Sequence, residues 1–148
     1  MTTAEVTQQG GYELTLAVRD YECDLQGIVN NSVYQNYLEH ARHEFLKSRG
    51  IDFAECHARG IDLVVARIRI DYKQALVSGD RCVVRTRVER QDRVKFLFQQ
   101  EIFSLPDRRL VVRARVTTVC RIDGRLGVSE ELAERLLAAP ADAAASAG

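Results

Sequence analysis

Residues 19–50, RDYECDLQGIVNNSVYQNYLEHARHEFLKSRG, decide how the rest of the chain is read. Their second half carries the one long helical pattern. Stepping about 100° per residue brings Val33, Tyr34, Tyr37, Leu38, Ala41 and Phe45 into an arc of about 140°. Asn31 or Ser32 is placed to cap the start, and Gly50 stands where a C′ glycine belongs, behind Lys47 and Arg49. Glu44 falls inside the apolar arc, so it needs a partner or a place near the helix end. The first half is different in kind. Asp24-Leu25-Gln26-Gly27-Ile28-Val29 sets an acid, a flexible glycine and two β-branched residues directly before the helix. A helix start presents unpaired N–H groups and positive partial charge, which can hold an oxyanion or polarise a carbonyl. A carboxylate held a few residues before such an end makes a small catalytic site.

The composition sets the bounds. A chain of 148 residues, 46% of them hydrophobic, is sized for one globular domain. Lys plus Arg balances Asp plus Glu at 21 each, so bulk charge gives no support to nucleic acid or acidic membranes as partners. Only Lys47, Lys73 and Lys95 are lysines; the other basic residues are arginine. Cys23, Cys56, Cys82 and Cys120 are widely spaced, which fits buried thiols in a reducing, cytoplasmic compartment. No signal peptide and no apolar run of about 18 residues is present, so neither export nor membrane spanning is expected.

Outward from the helix, residues 1–11 are polar, hold Gly10-Gly11 and read as a flexible leader. Tyr12, Leu14, Leu16 and Val18 alternate with polar or small residues as a first strand. Residues 52–59 read as a short extra helical turn ending at Gly60. Ala66, Ile68, Ile70 and Tyr72 then alternate with Val65, Arg67, Arg69 and Asp71. Cys82, Val84, Thr86 and Val88 follow the Ser78-Gly79-Asp80 turn. Val94, Phe96, Phe98 and Ile102 share a face with Gln100, beyond a hairpin at Gln91-Asp92. After Pro106-Asp107, the residues Leu110, Val112, Ala114, Val116, Thr118, Cys120 and Ile122 line one face. Such period-two patterning predicts an antiparallel sheet with one buried face. Residues 129–138 predict a terminal helix, and residues 139–148 a disordered tail. The order strand, helix, four strands predicts an α+β domain over residues 12–138, with one long central helix on a five-stranded antiparallel sheet. One helix cannot cover five long strands, so the exposed apolar surface and edges imply self-association.

The pattern D-x-x-G-I-V-x-N-x-x-Y-x-x-Y-x-E-x-x-R, formed by Asp24, Gly27, Ile28, Val29, Asn31, Tyr34, Tyr37, Glu39 and Arg42, resembles the hotdog-fold thioesterases of the 4-hydroxybenzoyl-CoA thioesterase type. The run from Ile28 to Leu46, with Asn30, His40, His43 and Glu44, is especially similar to plant and cyanobacterial members that release acyl or aromatic acyl groups from acyl carrier protein or CoA. The resemblance extends over about residues 12–123. It implies a hotdog fold, in which the sheet wraps the helix, and a homodimer or dimer of dimers with active sites at the interface. It implies Asp24 as nucleophile or general base and the Asn31 N–H as the donor to the thioester oxygen. Gly27, Ile28, Val29 and Tyr34 would border the substrate, and neither a metal nor an organic cofactor would be required.

Each residue has a plainer role to be weighed. Asp24 is also a turn former beside Gly27, and Tyr34 and Tyr37 are natural core residues. Glu39 lies opposite the apolar arc; it is a solvated residue or an alternative catalytic acid, since other hotdog thioesterases carry theirs on this helix. His40 and His43 have ligand spacing but no second ligand segment. Cys23 lacks a local histidine to activate it. Arg67, Arg69, Arg85, Arg87, Arg113 and Arg115 form either a solvated sheet face balanced by acids or a surface for CoA phosphates or an acidic carrier. Two other functions compete with hydrolysis: a non-catalytic acyl-CoA-binding module, and a dehydratase, which the distance of every histidine from Asp24 in sequence disfavours.

Overall fold

The computed structural model describes the backbone of residues 3–6 and the whole of residues 11–138. The elements are β1 (Thr3–Val6), β2 (Tyr12–Ala17), a 3-10 turn (Asp20–Glu22), α1 (Asn31–Ser48), α2 (Phe53–Ala58), β3 (Ile61–Tyr72), β4 (Arg81–Arg90), β5 (Lys95–Leu105), β6 (Leu110–Ile122), β7 (Arg125–Leu126) and α3 (Glu130–Leu137). The sheet is antiparallel throughout, in the order β1-β2-β4-β5-β6-β3, with β7 also beside β6. The expected five strands are therefore seven among the described residues. Thr3–Val6, inside the stretch read as a flexible leader, pairs with Tyr12–Thr15. Four residues are too few to give a period-two signal, yet they satisfy the row of N–H and C=O groups that β2 would otherwise present as an edge. Arg125–Leu126 folds back on β6 through Asp123 and Gly124, both at positive φ, as a two-residue hairpin turn requires. The expected disordered tail at 139–148, and residues 1–2 and 7–10 of the leader, lie outside the described residues.

Helix α1 lays Tyr34, Tyr37, Leu38, Ala41, Phe45 and Leu46 into the core. Its cap differs from the expectation by one residue. The Asn30 side chain accepts from the Ser32 N–H at 3.0 Å, so Asn31 is the first helical residue and not the cap. Gly50 follows the helix at φ 73°, a conformation that costs a residue with a Cβ. Glu44 is paired with Lys47 at 3.3 Å, which explains how an acid sits at the border of the apolar stripe.

The sheet face toward α1 carries Leu14, Cys82, Val84, Phe96, Phe98, Ile102, Val112, Ala114, Val116 and Cys120. Phe45 meets Phe98 and Tyr12 edge-on, each with ring centroids 6.0 Å apart. One polar knot lies in this layer. The fully buried Gln100 donates to the Leu38 carbonyl at 3.0 Å and to Thr86 Oγ1 at 2.9 Å, and accepts from Arg42 Nη1 at 3.1 Å. That knot explains how a glutamine occupies an apolar position of β5: its amide groups are satisfied by the helix backbone and by a helix side chain. Burial pushes the Arg42 guanidinium down from its ordinary value.

Strand β3 departs from a simple alternation. A bulge between Val65 and Arg67 puts Val65 opposite Thr118 and Ile68 opposite Val116, so Val65, not Ala66, shares the face of Ile68, Ile70 and Tyr72. One extra residue shifts the period-two count, which no alternation pattern can show.

Candidate active site

The acid sits on a short hairpin that the local sequence builds. Cys23 pairs with Val29, the Asp24 N–H donates to the Ile28 carbonyl at 2.9 Å, and the Asn30 N–H to the Glu22 carbonyl at 3.0 Å. The tip closes when the Gly27 N–H reaches the Asp24 carbonyl at 3.0 Å, with Gly27 at φ 80°. The Asp24 carboxylate joins the turn through one oxygen only: Oδ1 accepts from the Gln26 N–H at 2.9 Å. Oδ2 has no hydrogen-bond partner among the described residues.

The helix start faces the same space. The Ser32 N–H is taken by the Asn30 side chain and the Val33 N–H by the Asn30 carbonyl at 2.9 Å. Of the first-turn donors Asn31, Ser32 and Val33, only the Asn31 N–H is left without an acceptor among the described residues. A cleft of about 520 Å³ is lined by Asp24, Ile28, Val29, Asn30, Asn31 and Tyr34 on this side and by residues 72–75 on the other. That volume is the size of a small-molecule site. The structure thus brings five of the sequence candidates (Asp24, Ile28, Val29, Asn31 and Tyr34) to one cleft. Gly27 shapes the turn and does not line it. Glu39 is elsewhere, exposed on α1 and 3.8 Å from His43 Nε2. Burial lowers the affinity of His43 for a proton, so this pair weakens as the ring stays neutral.

The two tyrosines of the motif tie the cleft walls to the helix. Tyr34, buried, accepts through its hydroxyl from the Leu76 N–H at 3.0 Å, and the Leu76 carbonyl in turn accepts from the Val29 N–H at 2.8 Å. Tyr37 donates to Glu22 Oε1 at 2.8 Å, at the base of the Asp24 hairpin. Burial raises both phenols above their ordinary value, and for Tyr37 the Glu22 hydrogen bond adds to the rise, so both stay protonated. Glu22 and the Tyr72–Ala75 wall were not among the sequence candidates. Tyr72 ends β3 and carries only the strand alternation, and residues 73–75 lie between β3 and β4, where no periodicity or motif marks them. Glu22 is adjacent to the motif but outside its pattern. Tyr72 also donates to the Asn31 carbonyl at 3.2 Å and packs against the Tyr34 ring at 5.7 Å. Among the described residues no three His, Cys, Asp or Glu side chains gather as metal ligands, so His40 and His43 form no such group.

An antiparallel sheet curled over a helix whose start faces an acid on the preceding loop defines the hotdog class. The chain belongs to the thioesterase-like superfamily, whose family model matches residues 18–143. It is 43% identical over 110 residues to the chloroplastic acyl-acyl carrier protein thioesterase ATL2 of Arabidopsis thaliana, a match covering 74% of this chain and 58% of that protein. The chain therefore spans little more than half of the plant relative. It is 29% identical over 124 residues to the long-chain acyl-CoA thioesterase FadM of Escherichia coli, covering 82% of this chain and 93% of FadM. Among solved structures, the 1,4-dihydroxy-2-naphthoyl-CoA thioesterase Slr0204 of Synechocystis superposes with a TM-score of 0.80 over 86% of this chain and 96% of its own, at 18% identity. That likeness shows the fold.

Proposed function

We propose that this protein hydrolyses an acyl thioester, carried by CoA or by an acyl carrier protein, to the free acid and the thiol. The observation that carries the reading is the pairing, in one cleft, of a carboxylate oxygen and a helix-start N–H that both lack a hydrogen-bond partner among the described residues. The thioester oxygen sits at the Asn31 N–H, which stabilises the negative charge that develops as the carbonyl is attacked. Asp24 Oδ2 either attacks the carbonyl carbon itself or takes a proton from the attacking water. Collapse of the tetrahedral intermediate expels the thiolate, which is protonated from solvent; on the covalent route, water then cleaves the aspartyl anhydride. The names of the relatives support thioester chemistry on both carriers.

The same reading includes an assembly in which α1 is wrapped by the sheet and two copies join along β3. That strand closes the sheet, with no strand on its outer side among the described residues. On it Val64, Val65, Ile68 and Tyr72 are each between 39% and 46% exposed, an apolar edge of the kind that pairs with a second copy. Because Tyr72 also lines the cleft, such pairing completes the site. No helix among the described residues is long and apolar enough to cross a membrane, and a reducing compartment such as the cytoplasm suits four cysteines that form no disulfide.

A second reading has one observation in its favour. The Gln26 N–H on Asp24 Oδ1 makes Asp24 a turn-forming residue, which a non-catalytic acyl-CoA-binding module would also retain. Purified protein offered a panel of aromatic, fatty and β-keto acyl groups on both CoA and carrier protein, with release of free thiol followed, separates the two. Hydrolysis of any member above the uncatalysed rate supports the thioesterase; binding of the panel without thiol release refutes it.

A further inference from the structure

The face of the sheet turned away from α1 carries two neighbouring rows of side chains with opposite charge logic. In one row Glu101, Arg113 and Asp71 stand side by side on β5, β6 and β3. Arg113 is 3.5 Å from Glu101, Arg87 is 4.0 Å from the same acid, and Asp71 is 3.8 Å from Arg69. Two residues along, the row reads Arg87, Gln99, Arg115 and Arg69 across β4, β5, β6 and β3, with no acid in it. Arg115 and Arg69 are paired directly opposite each other, an arrangement of like charges that weakens a sheet unless something compensates it. The next row reads Glu89, Leu97, Thr117 and Arg67 across β4, β5, β6 and β3, its acid separated from Arg67 by β5 and β6. Arg67 and Arg115 have no carboxylate partner among the described residues. These residues do not form a flat surface. Arg67, Arg69 and Arg115, with Gln91, Thr117 and the buried Leu97, line a cleft of about 230 Å³.

We propose that this cleft is a phosphate site, taking one or two phosphate groups of a phosphorylated ligand. Guanidinium forks match the oxygens of a phosphate group pairwise, and guanidinium is weakly hydrated, so it gives up water for such a partner readily. The Thr117 hydroxyl and the Gln91 amide add neutral hydrogen-bonding groups beside the arginines. The volume lies below the roughly 300–1,000 Å³ of sites that hold a whole drug-sized molecule. The cleft therefore grips a phosphate or diphosphate group and leaves the remainder of a larger ligand outside. The same chemistry has two sources: a free diphosphate, or the phosphorylated end of the CoA carrier, and the second source rests on the thioesterase reading above.

The test is calorimetric titration of the full chain with sodium pyrophosphate at low salt, for wild type, the double variant Arg67→Gln/Arg115→Gln, and Arg113→Gln. Arg113 belongs to the compensated row and is the matched control. Wild type should bind, the double variant should bind at least tenfold more weakly, and Arg113→Gln should stay within threefold of wild type. No binding by wild type, or an equal loss in Arg113→Gln, overturns the proposal, the latter because it indicates general attraction to a basic face. Competition then assigns the source. Displacement of pyrophosphate by CoA, but less by dephospho-CoA, supports the site and places the carrier on it. Failure of CoA to displace supports the site with a free diphosphate as its ligand. None of these readings needs turnover, so a failure of the thioesterase assay would leave the pyrophosphate result standing.

Discussion

Replacing Gln100 with leucine tests how α1 is fixed to the sheet. The substitution nearly preserves volume but removes both ends of the polar knot. Leu38 O and Thr86 Oγ1 each lose a neutral hydrogen bond, at about 1 kcal/mol apiece, and Arg42 loses the acceptor of a charged group, at about 1.5–3 kcal/mol. The expected loss is about 4 kcal/mol, which for a domain of this size lowers Tm by roughly 8–16 °C. Thermal and urea unfolding at one fixed protein concentration measure it, since self-association would otherwise move the transition. The pair is then closed as a cycle. Arg42→Leu in the Gln100→Leu background replaces both partners by apolar groups, so it should recover at least about 1.5 kcal/mol over the sum of the single effects. A Gln100→Leu protein melting within about 3 °C of wild type, or strictly additive losses in the double variant, would refute the claim that this network holds the helix.

Four further outcomes follow from other parts of the structure. Gly60→Ala drives a Cβ into Asp123 Oδ1 at a position with φ +77°; it should cost at least about 1 kcal/mol in urea unfolding, whereas a neutral result would show that the Asp123 turn shifts freely. Tyr37→Phe keeps the ring but removes one of the two donors to Glu22 Oε1 at the base of the Asp24 hairpin, leaving the Arg19 N–H; kcat on the best thioester should fall several-fold with KM little changed, and an unchanged kcat would show that Tyr37 only packs. Cys82 is fully buried and its thiol is pushed up to about 12, chiefly by burial, so mass-resolved alkylation of the folded protein at pH 8 should leave it unmodified; early labelling of Cys82 would contradict its burial. Light scattering at micromolar concentration should give at least twice the chain mass of 16.7 kDa, and Ile68→Asp on the exposed edge of β3 should lower it; an active wild-type monomer would remove the role given to that edge.

The parts of the molecule legible in the sequence are those where one periodicity runs uninterrupted. Val112 to Cys120 alternate over a whole strand, and the Tyr34–Phe45 stripe gives α1 its face, so both are found from residue spacing alone. What escapes is set by single residues. The bulge at Ala66 moves Val65 to the other face, which an alternation count assigns wrongly. Asn30 caps α1 because its side chain can reach the Ser32 N–H, a choice that Asn30, Asn31 and Ser32 leave open by residue type. β1 and β7 are too short to carry a pattern, although Asp123-Gly124 is a turn signal for the second of them. In the cleft, the motif names one wall. The other, Tyr72–Ala75, arrives through the topology, because the Leu76 backbone is pinned between Tyr34 and Val29. Nothing near it in sequence states that it will face Asp24.

The pairing of an acid with a helix-start donor is tested most directly by single-turnover hydrolysis of the best acyl thioester, comparing wild type with Asp24→Asn and Glu39→Gln. Asparagine keeps the size of Asp24 and its acceptor for the Gln26 N–H, and removes only the carboxylate that attacks or takes the proton. The account predicts a loss of at least about 100-fold in Asp24→Asn, the lower end for a positioned base, with folding and assembly unchanged and Glu39→Gln near wild type. Near wild-type turnover in Asp24→Asn would contradict it, and a dead Glu39→Gln alongside would place the catalytic acid on α1 instead.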